Sequence, residues 1–261
     1  MGPRRCRIPR SWPFVFKMGA STGSRLHGLV VVSPADVGSH GSVAPARLNE
    51  SYCRPMARYF DVHPLDPQPH SIAQVVALLR DDALIAYPTD ASYALGCQMG
   101  NPTGADRIRR LRGLDDRHHF TLVCADFAQL GQLVDLNNAA FRAIKVVTPG
   151  PYTFILPATR DVPRRLAHPK KRTVGVRIPN HPVVRALLRE LGEPLLSSTL
   201  LLPDAEEPMT DGWQIQDELG QVLDAVVDAG ECGKELTTVV DWSEGYPEVV
   251  RVGMGDPARF Q

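Results

Sequence analysis

From Met56 onward, apolar residues recur at helical spacing in some stretches and gather into short unbroken runs in others. Ile72, Val75, Val76 and Leu79 lie on one helical face, a pattern that stops at Arg80-Asp81-Asp82. Ala83–Tyr87 follows as a short apolar run closed by Pro88 and reads as a buried strand. Ile108, Leu111 and Leu114 predict a helix over Ala105–Leu114 with its arginines on the opposite side. A strand at Phe120–Cys124, helices at Phe127–Val134 and Ala139–Val147, and a strand at Tyr152–Leu156 follow by the same reasoning. Next come a β-branched strand at Thr173–Ile178, a helix at Pro182–Leu191 entered through its proline, and a strand at Leu195–Thr199. Strands are also expected at Leu223–Val227, Thr237–Trp242 and Glu248–Val252. Helices interleaved with short apolar strands predict an α/β sheet layered with helices. Some closing strands lie too near one another for helical crossovers, so the sheet should be mixed rather than purely parallel.

The first 55 residues carry no such period. They are rich in Gly, Pro, Ser and Arg, with eight basic residues against two acidic ones, so the remainder is left with a net charge of −6. Their apolar stretches, Trp12–Phe16 and Leu29–Val32, fall far short of the ~20 residues of a membrane span. An Arg-rich, acid-poor leader fits this composition, as does a disordered extension or non-native upstream sequence. Residues 1–55 are expected to be a disordered or non-native extension, and residues 56–261 to form one domain.

Over the whole chain, 29 basic side chains balance 29 acidic ones and 43% of residues are hydrophobic, which excludes a basic nucleic-acid tail or an acidic disordered chain. Cys6, Cys53, Cys97, Cys124 and Cys232 show no CxxC and no metal-ligand spacing. That odd, scattered set points to a reducing, cytoplasmic setting with no resident metal. Cys97 and Cys124 are expected as buried thiols, and Trp213, Trp242 and Tyr246 as packing residues.

Common nucleotide and hydrolase motifs are missing. Gly253-Met254-Gly255 lacks the third glycine of a dinucleotide fingerprint, and Gly230–Glu235 is too short for a phosphate loop. More informative is the clustering of basic charge on an acidic background. Arg107, Arg109, Arg110, Arg112, Arg117, His118 and His119 fall within thirteen residues, and Arg160, Arg164, Arg165, Lys170, Lys171, Arg172 and Arg177 within eighteen. Such clusters repel themselves unless a polyanion relieves the repulsion, though two solvated surfaces explain them as well. Hydroxyls gather at strand ends, in Pro88–Tyr93, Ser197-Ser198-Thr199 and Thr237-Thr238. Ligands of open α/β sheets collect at such ends, while ordinary turn chemistry gives the same residues.

Four blocks resemble the YrdC family: Tyr87–Cys97, Pro149–Leu156, Val176–Pro182, and Thr237–Asp241 with Val250–Gly253. Phe120–Asp126 and Pro163–Leu166 are similar to its YciO-type branch. The resemblance implies a twisted mixed sheet layered with helices around a basic concave surface. It implies synthesis of L-threonylcarbamoyladenylate from threonine, bicarbonate and ATP, with magnesium arriving on the triphosphate, in tRNA modification. It also implies double-stranded RNA or tRNA as a partner. On this reading Arg112, Arg177 and Arg251 contact phosphate or carboxylate, and Thr89, Thr153, Ser198, Thr199 and Thr237 orient the substrates. Arg109, Arg110, Arg164, Arg165, Lys170, Lys171 and Arg172 are the expected RNA contacts.

The family pattern is departed from at several places. Its Lys-x-Arg pair falls on Arg112-Gly113-Leu114, and its Pro-Leu on His119-Phe120. Its Ser-Ala-Asn triplet falls on Thr199-Leu200-Leu201, where an amide becomes apolar. Ala91 stands where a hydroxyl is expected and Ala94 where a glycine is. Losing a guanidinium and an amide from a charged site weakens binding, so a protein that binds RNA, or removes the threonylcarbamoyl group from tRNA, is the alternative.

Overall fold

A computed structural model describes residues 55–115, 118 and 120–260. The expectation for residues 1–55 therefore falls almost wholly outside the described residues, as do Arg117 and His119. The elements run β1 (Arg58–Asp61), α1 (Pro69–Arg80), β2 (Ile85–Tyr87), β3 (Ala94–Gln98), α2 (Pro102–Arg112) and β4 (Thr121–Val123). They continue with α3 (Phe127–Leu133), α4 (Asn138–Val147), β5 (Tyr152–Pro157), β6 (Thr173–Arg177), α5 (Pro182–Leu191) and β7 (Leu195–Thr199). Last come α6 (Gly212–Leu219), β8 (Ala225–Asp228), β9 (Thr238–Asp241) and β10 (Glu248–Arg251).

Local chemistry sets the helix ends. Proline opens α1, α2 and α5, where its missing N–H costs nothing. Asn101, Asp126, Asn137 and Asp211 accept a backbone N–H from inside α2, α3, α4 and α6 respectively. Helix α2 stops at Gly113, whose φ of 61° suits a residue without a Cβ. That stop leaves Arg112 in the final turn.

All ten described strands join one mixed sheet in the order β1-β8-β2-β3-β7-β4-β6-β5-β9-β10. Pairs β1–β8, β2–β8, β4–β6 and β5–β9 are parallel and the others antiparallel, as the short spacing of the closing strands anticipated. Successive residues of a strand face opposite sides, so each strand serves two environments. Leu95, Leu122, Phe154, Val174, Val176, Leu196, Val226 and Val240 pack with the buried sides of α2, α3, α4 and α6. Ile85, Tyr87, Val123, Leu195, Ala225 and Val227 pack with Val75, Val76 and Leu79 of α1 and Val183, Val184 and Leu187 of α5.

Three elements were not read from the sequence. Strand β1 exposes three of its four residues, so it shows no apolar run. Strand β3 is Ala-Leu-Gly-Cys-Gln, poor in β-branched residues, and is a strand because it lies between β2 and β7. Helix α6 could have been found from Asp211 followed by Ile215 and Leu219 on one face. Trp242 is buried as expected, but Trp213 and Tyr246 are 66% and 62% exposed, which corrects the packing role given to them. Trp213 sits on the outer side of α6 and Tyr246 in the turn between β9 and β10.

Candidate functional site

On the side of the sheet that carries α1 and α5, several strands meet no helix and instead line a cavity of about 390 Å³. Pockets of this size suit small molecules. The register brings its walls together. Ser197 pairs with Thr121, Thr121 with Gly175 and Gly175 with Ile155, giving one lateral row. Thr153 pairs with Val239 and Val239 with Arg251, giving part of a second. Arg177 pairs with Val123 on β4. Alternation puts Thr121, Thr153, Gly175, Arg177, Ser197, Thr199 and Val239 on the cavity while their neighbours enter the core. Gly175 leaves the floor low, because a Cβ there would lie 2.9 Å from the Phe120 carbonyl oxygen.

Three guanidiniums distant in the chain converge here: Arg112, Arg177 and Arg251 all line the cavity. Arg112 donates from Nε to the Leu201 carbonyl at 3.0 Å and from Nη1 to Ser198 Oγ at 2.7 Å. Arg251 grips Thr237, with Nε on the carbonyl at 3.1 Å and Nη2 on the hydroxyl at 3.0 Å. Thr237 and Thr153 share a hydroxyl–hydroxyl bond of 2.9 Å. Arg177, only 8% exposed, is paired through Nη2 with Asp90. Burial lowers the Arg112 pKa from its ordinary value, and the Arg251 charge adds to this. Arg251 is lowered in the same way by burial and then by Arg177. The cavity thus collects three like charges, an arrangement an anionic guest stabilises.

Aliphatic surface comes from Val123, Ile155, Leu201, Leu236, Val239 and Val250. Tyr87 lies just behind it, its hydroxyl bonded to Ser197 Oγ at 2.7 Å and its pKa pushed up to about 12 by burial. Among the described residues no carboxylate lines the cavity, and no group of three His, Cys, Asp or Glu could hold a metal ion.

Of the residues singled out from the sequence, Arg112, Thr153, Arg177, Ser198, Thr199, Thr237 and Arg251 all line this cavity. Thr89 does not. Its hydroxyl donates to the Ser92 carbonyl at 2.7 Å and accepts from Ala91 N–H at 3.1 Å, so it shapes the β2–β3 loop. His118, from the first basic cluster, lies in the loop after α2 and lines the cavity. Leu114 packs against the core rather than the cavity, whereas Leu201 and Ala94 line it.

The residues expected to meet RNA lie outside this cavity. Arg109 bonds Asp106 and the Arg165 carbonyl and covers the Phe120 ring. Arg110 bonds the Asp106 carbonyl, Arg165 the Gly100 carbonyl, and Lys171 stands 4.0 Å from Asp241. Arg164, Lys170 and Arg172 are exposed. Cys97 and Cys124 are buried thiols, each pushed up to about 12 by burial.

Fold and site together define an α/β domain with an arginine-lined hollow set on one side of a mixed sheet. Residues 77–253 match the family model Sua5/YciO/YrdC, described as telomere recombination, and the chain belongs to this family. The protein YciO of Escherichia coli, itself uncharacterized, is 44% identical over 205 residues, spanning 78% of this chain and all of its own length. The crystal structure of E. coli YciO superposes with a TM-score of 0.77 at 44% identity, covering 79% of this chain and all of that one. A threonylcarbamoyl-AMP synthase of Vibrio vulnificus is 32% identical over 167 residues, 63% of this chain and 88% of its own. The structure of P. abyssi Sua5 complexed with L-threonine gives a TM-score of 0.69 at 25% identity, covering 75% of this chain and 57% of that chain.

Proposed function

We propose that the cavity binds threonine, bicarbonate and ATP and forms L-threonylcarbamoyladenylate for tRNA modification. The threonine amine and bicarbonate give a carbamate with loss of water. A carbamate oxygen then attacks the α-phosphorus, the bond to the bridging oxygen breaks, and pyrophosphate leaves with its electron pair. Such transfer asks the protein mainly for positioning and charge neutralisation. Arg112, Arg177 and Arg251 are the neutralising groups, and their convergence in one hollow carries the reading. Thr153, Thr199 and the guanidinium-bound hydroxyls of Ser198 and Thr237 orient the reactants. Thr89 serves only by shaping its loop. Magnesium enters as part of the nucleotide substrate, keeping several waters. The P. abyssi relative complexed with L-threonine supports that amino acid as a substrate. Incubation with threonine, bicarbonate and Mg-ATP should release pyrophosphate well above an Arg177→Ala control; equal release rejects the synthase.

One observation favours a second reading. Leu201 puts an apolar side chain on the cavity wall where the family pattern has an amide. A protein that binds tRNA or double-stranded RNA through Arg109, Arg110, Arg164, Arg165, Lys170, Lys171 and Arg172, and removes the threonylcarbamoyl group, fits that change. It would release threonine from modified tRNA without ATP, and its RNA affinity would fall steeply with salt.

A further inference from the structure

Arg177 stands apart from the other two cavity guanidiniums in how it is held. Arg112 and Arg251 each place two nitrogens, one of them Nε, on protein oxygens. Arg177 places one, Nη2, on Asp90, and its Nε is buried with no hydrogen-bond partner. A guanidinium that lines a cavity and spends a single nitrogen on a protein acceptor depends on that acceptor for its orientation.

Asp90 is itself firmly placed. The pair is nearly enclosed, with side-chain exposures of 10% and 12% for Arg177 and Asp90. One Asp90 oxygen takes the guanidinium, and the other accepts the Asn180 backbone N–H at 3.0 Å. Asn180 lies three residues beyond Arg177, so Asp90 ties the end of β6 to the turn leading into α5. The loop carrying Asp90 is fixed in turn by Thr89 Oγ1, which contacts Ser92 and Ala91. From the far side Gly233 packs so closely that a Cβ there would come within 2.7 Å of the Ala91 carbonyl oxygen. The Asn180 backbone thus holds the carboxylate directly, while Gly233 packs on the loop that carries it.

We propose that Asp90 is a positioning residue: it captures Arg177 Nη2 and so fixes the orientation in which that guanidinium meets an anion in the cavity. Asp90 touches no guest itself, since it does not line the cavity. Its neighbour Thr89 contributes at one further remove, by holding the loop. This inference rests on the anion-binding reading of the cavity but not on which reaction follows.

The test uses AMP as the anionic probe, with the full chain at low salt. Calorimetry gives its affinity, and the Nε–H resonances of Arg112, Arg177 and Arg251 report each guanidinium separately. In the wild type, AMP should shift the Arg177 Nε–H resonance. Asp90→Asn should weaken AMP at least tenfold and broaden or move the Arg177 resonance before ligand is added, while the Arg112 and Arg251 signals stay in place. Asp90→Glu, which keeps the charge but displaces it, is the second variant should Asp90→Asn not fold, and the same loss is expected. A variant that binds AMP within twofold of the wild type overturns the positioning role. So does AMP binding that leaves the wild-type Arg177 resonance unmoved. Failure of the wild type to bind either AMP or inorganic pyrophosphate would instead sink the anion-binding reading of the cavity, and this inference with it.

Discussion

The side of the sheet bearing α1 and α5 has two halves built by one rule and put to opposite uses. Where the two helices cover it, the facing positions are Ile85, Tyr87, Leu195, Ala225 and Val227, all buried. Where no helix covers it, the corresponding positions are Thr121, Thr153, Gly175, Arg177 and Val239, and they line the cavity. Both halves continue the same alternation, and on the opposite side every strand between them feeds a single core. The covered half therefore holds the strands in register, and the uncovered half uses that register to bring distant cations together. Stability and function should separate along this division.

The largest effect should come from the covered half. Leu187→Ala removes a side chain 1% exposed on α5 and should lower the unfolding free energy by about 2–5 kcal/mol. Denaturant titration measures this, and AMP affinity well below the melting temperature should stay within twofold. A parallel loss of binding would mean that the halves are mechanically coupled. Arg251→Ala, in the open half, should do the reverse. Pyrophosphate release should fall by roughly 10- to 100-fold, or about 1.4–2.7 kcal/mol in the barrier. Its stability should change by less than about 1 kcal/mol, because the side chain is at the solvent boundary. Smallest is Leu201→Asn, which returns an amide to the cavity wall. One added hydrogen bond of about 1 kcal/mol should raise ATP-dependent turnover roughly fivefold. No gain would favour the reading in which ATP is not the substrate.

Much of the covered half was legible in the sequence, because burial against a helix leaves a period. The Ile72–Leu79 spacing and the Pro182–Leu191 pattern found α1 and α5 where they are. Strand β3 escaped because its neighbours, not its residues, make it a strand, and β1 escaped because its exposed edge looks like loop. At the site, residue type and resemblance picked out the three arginines that line the cavity. Thr89 shows where that reasoning stops. A hydroxyl beside a strand end can face a guest or bond its own loop, and only the fold distinguishes them. Asp90, the residue next to it, was visible as a turn former but not as the partner of Arg177, since 87 positions separate the two.

The pairing of β1 with β8 bears on how the polypeptide comes off the ribosome. Arg58–Asp61 lies alongside Ala225–Asp228, and β2 leans on that same late strand. At translation speeds of about 5–20 residues per second, the early strands wait roughly 8–30 s for their neighbour to be made. Throughout that interval the nascent chain offers unpaired backbone and the apolar stripe of α1 to anything nearby. Its dependence on holding chaperones should therefore end sharply once the segment through Asp228 has emerged.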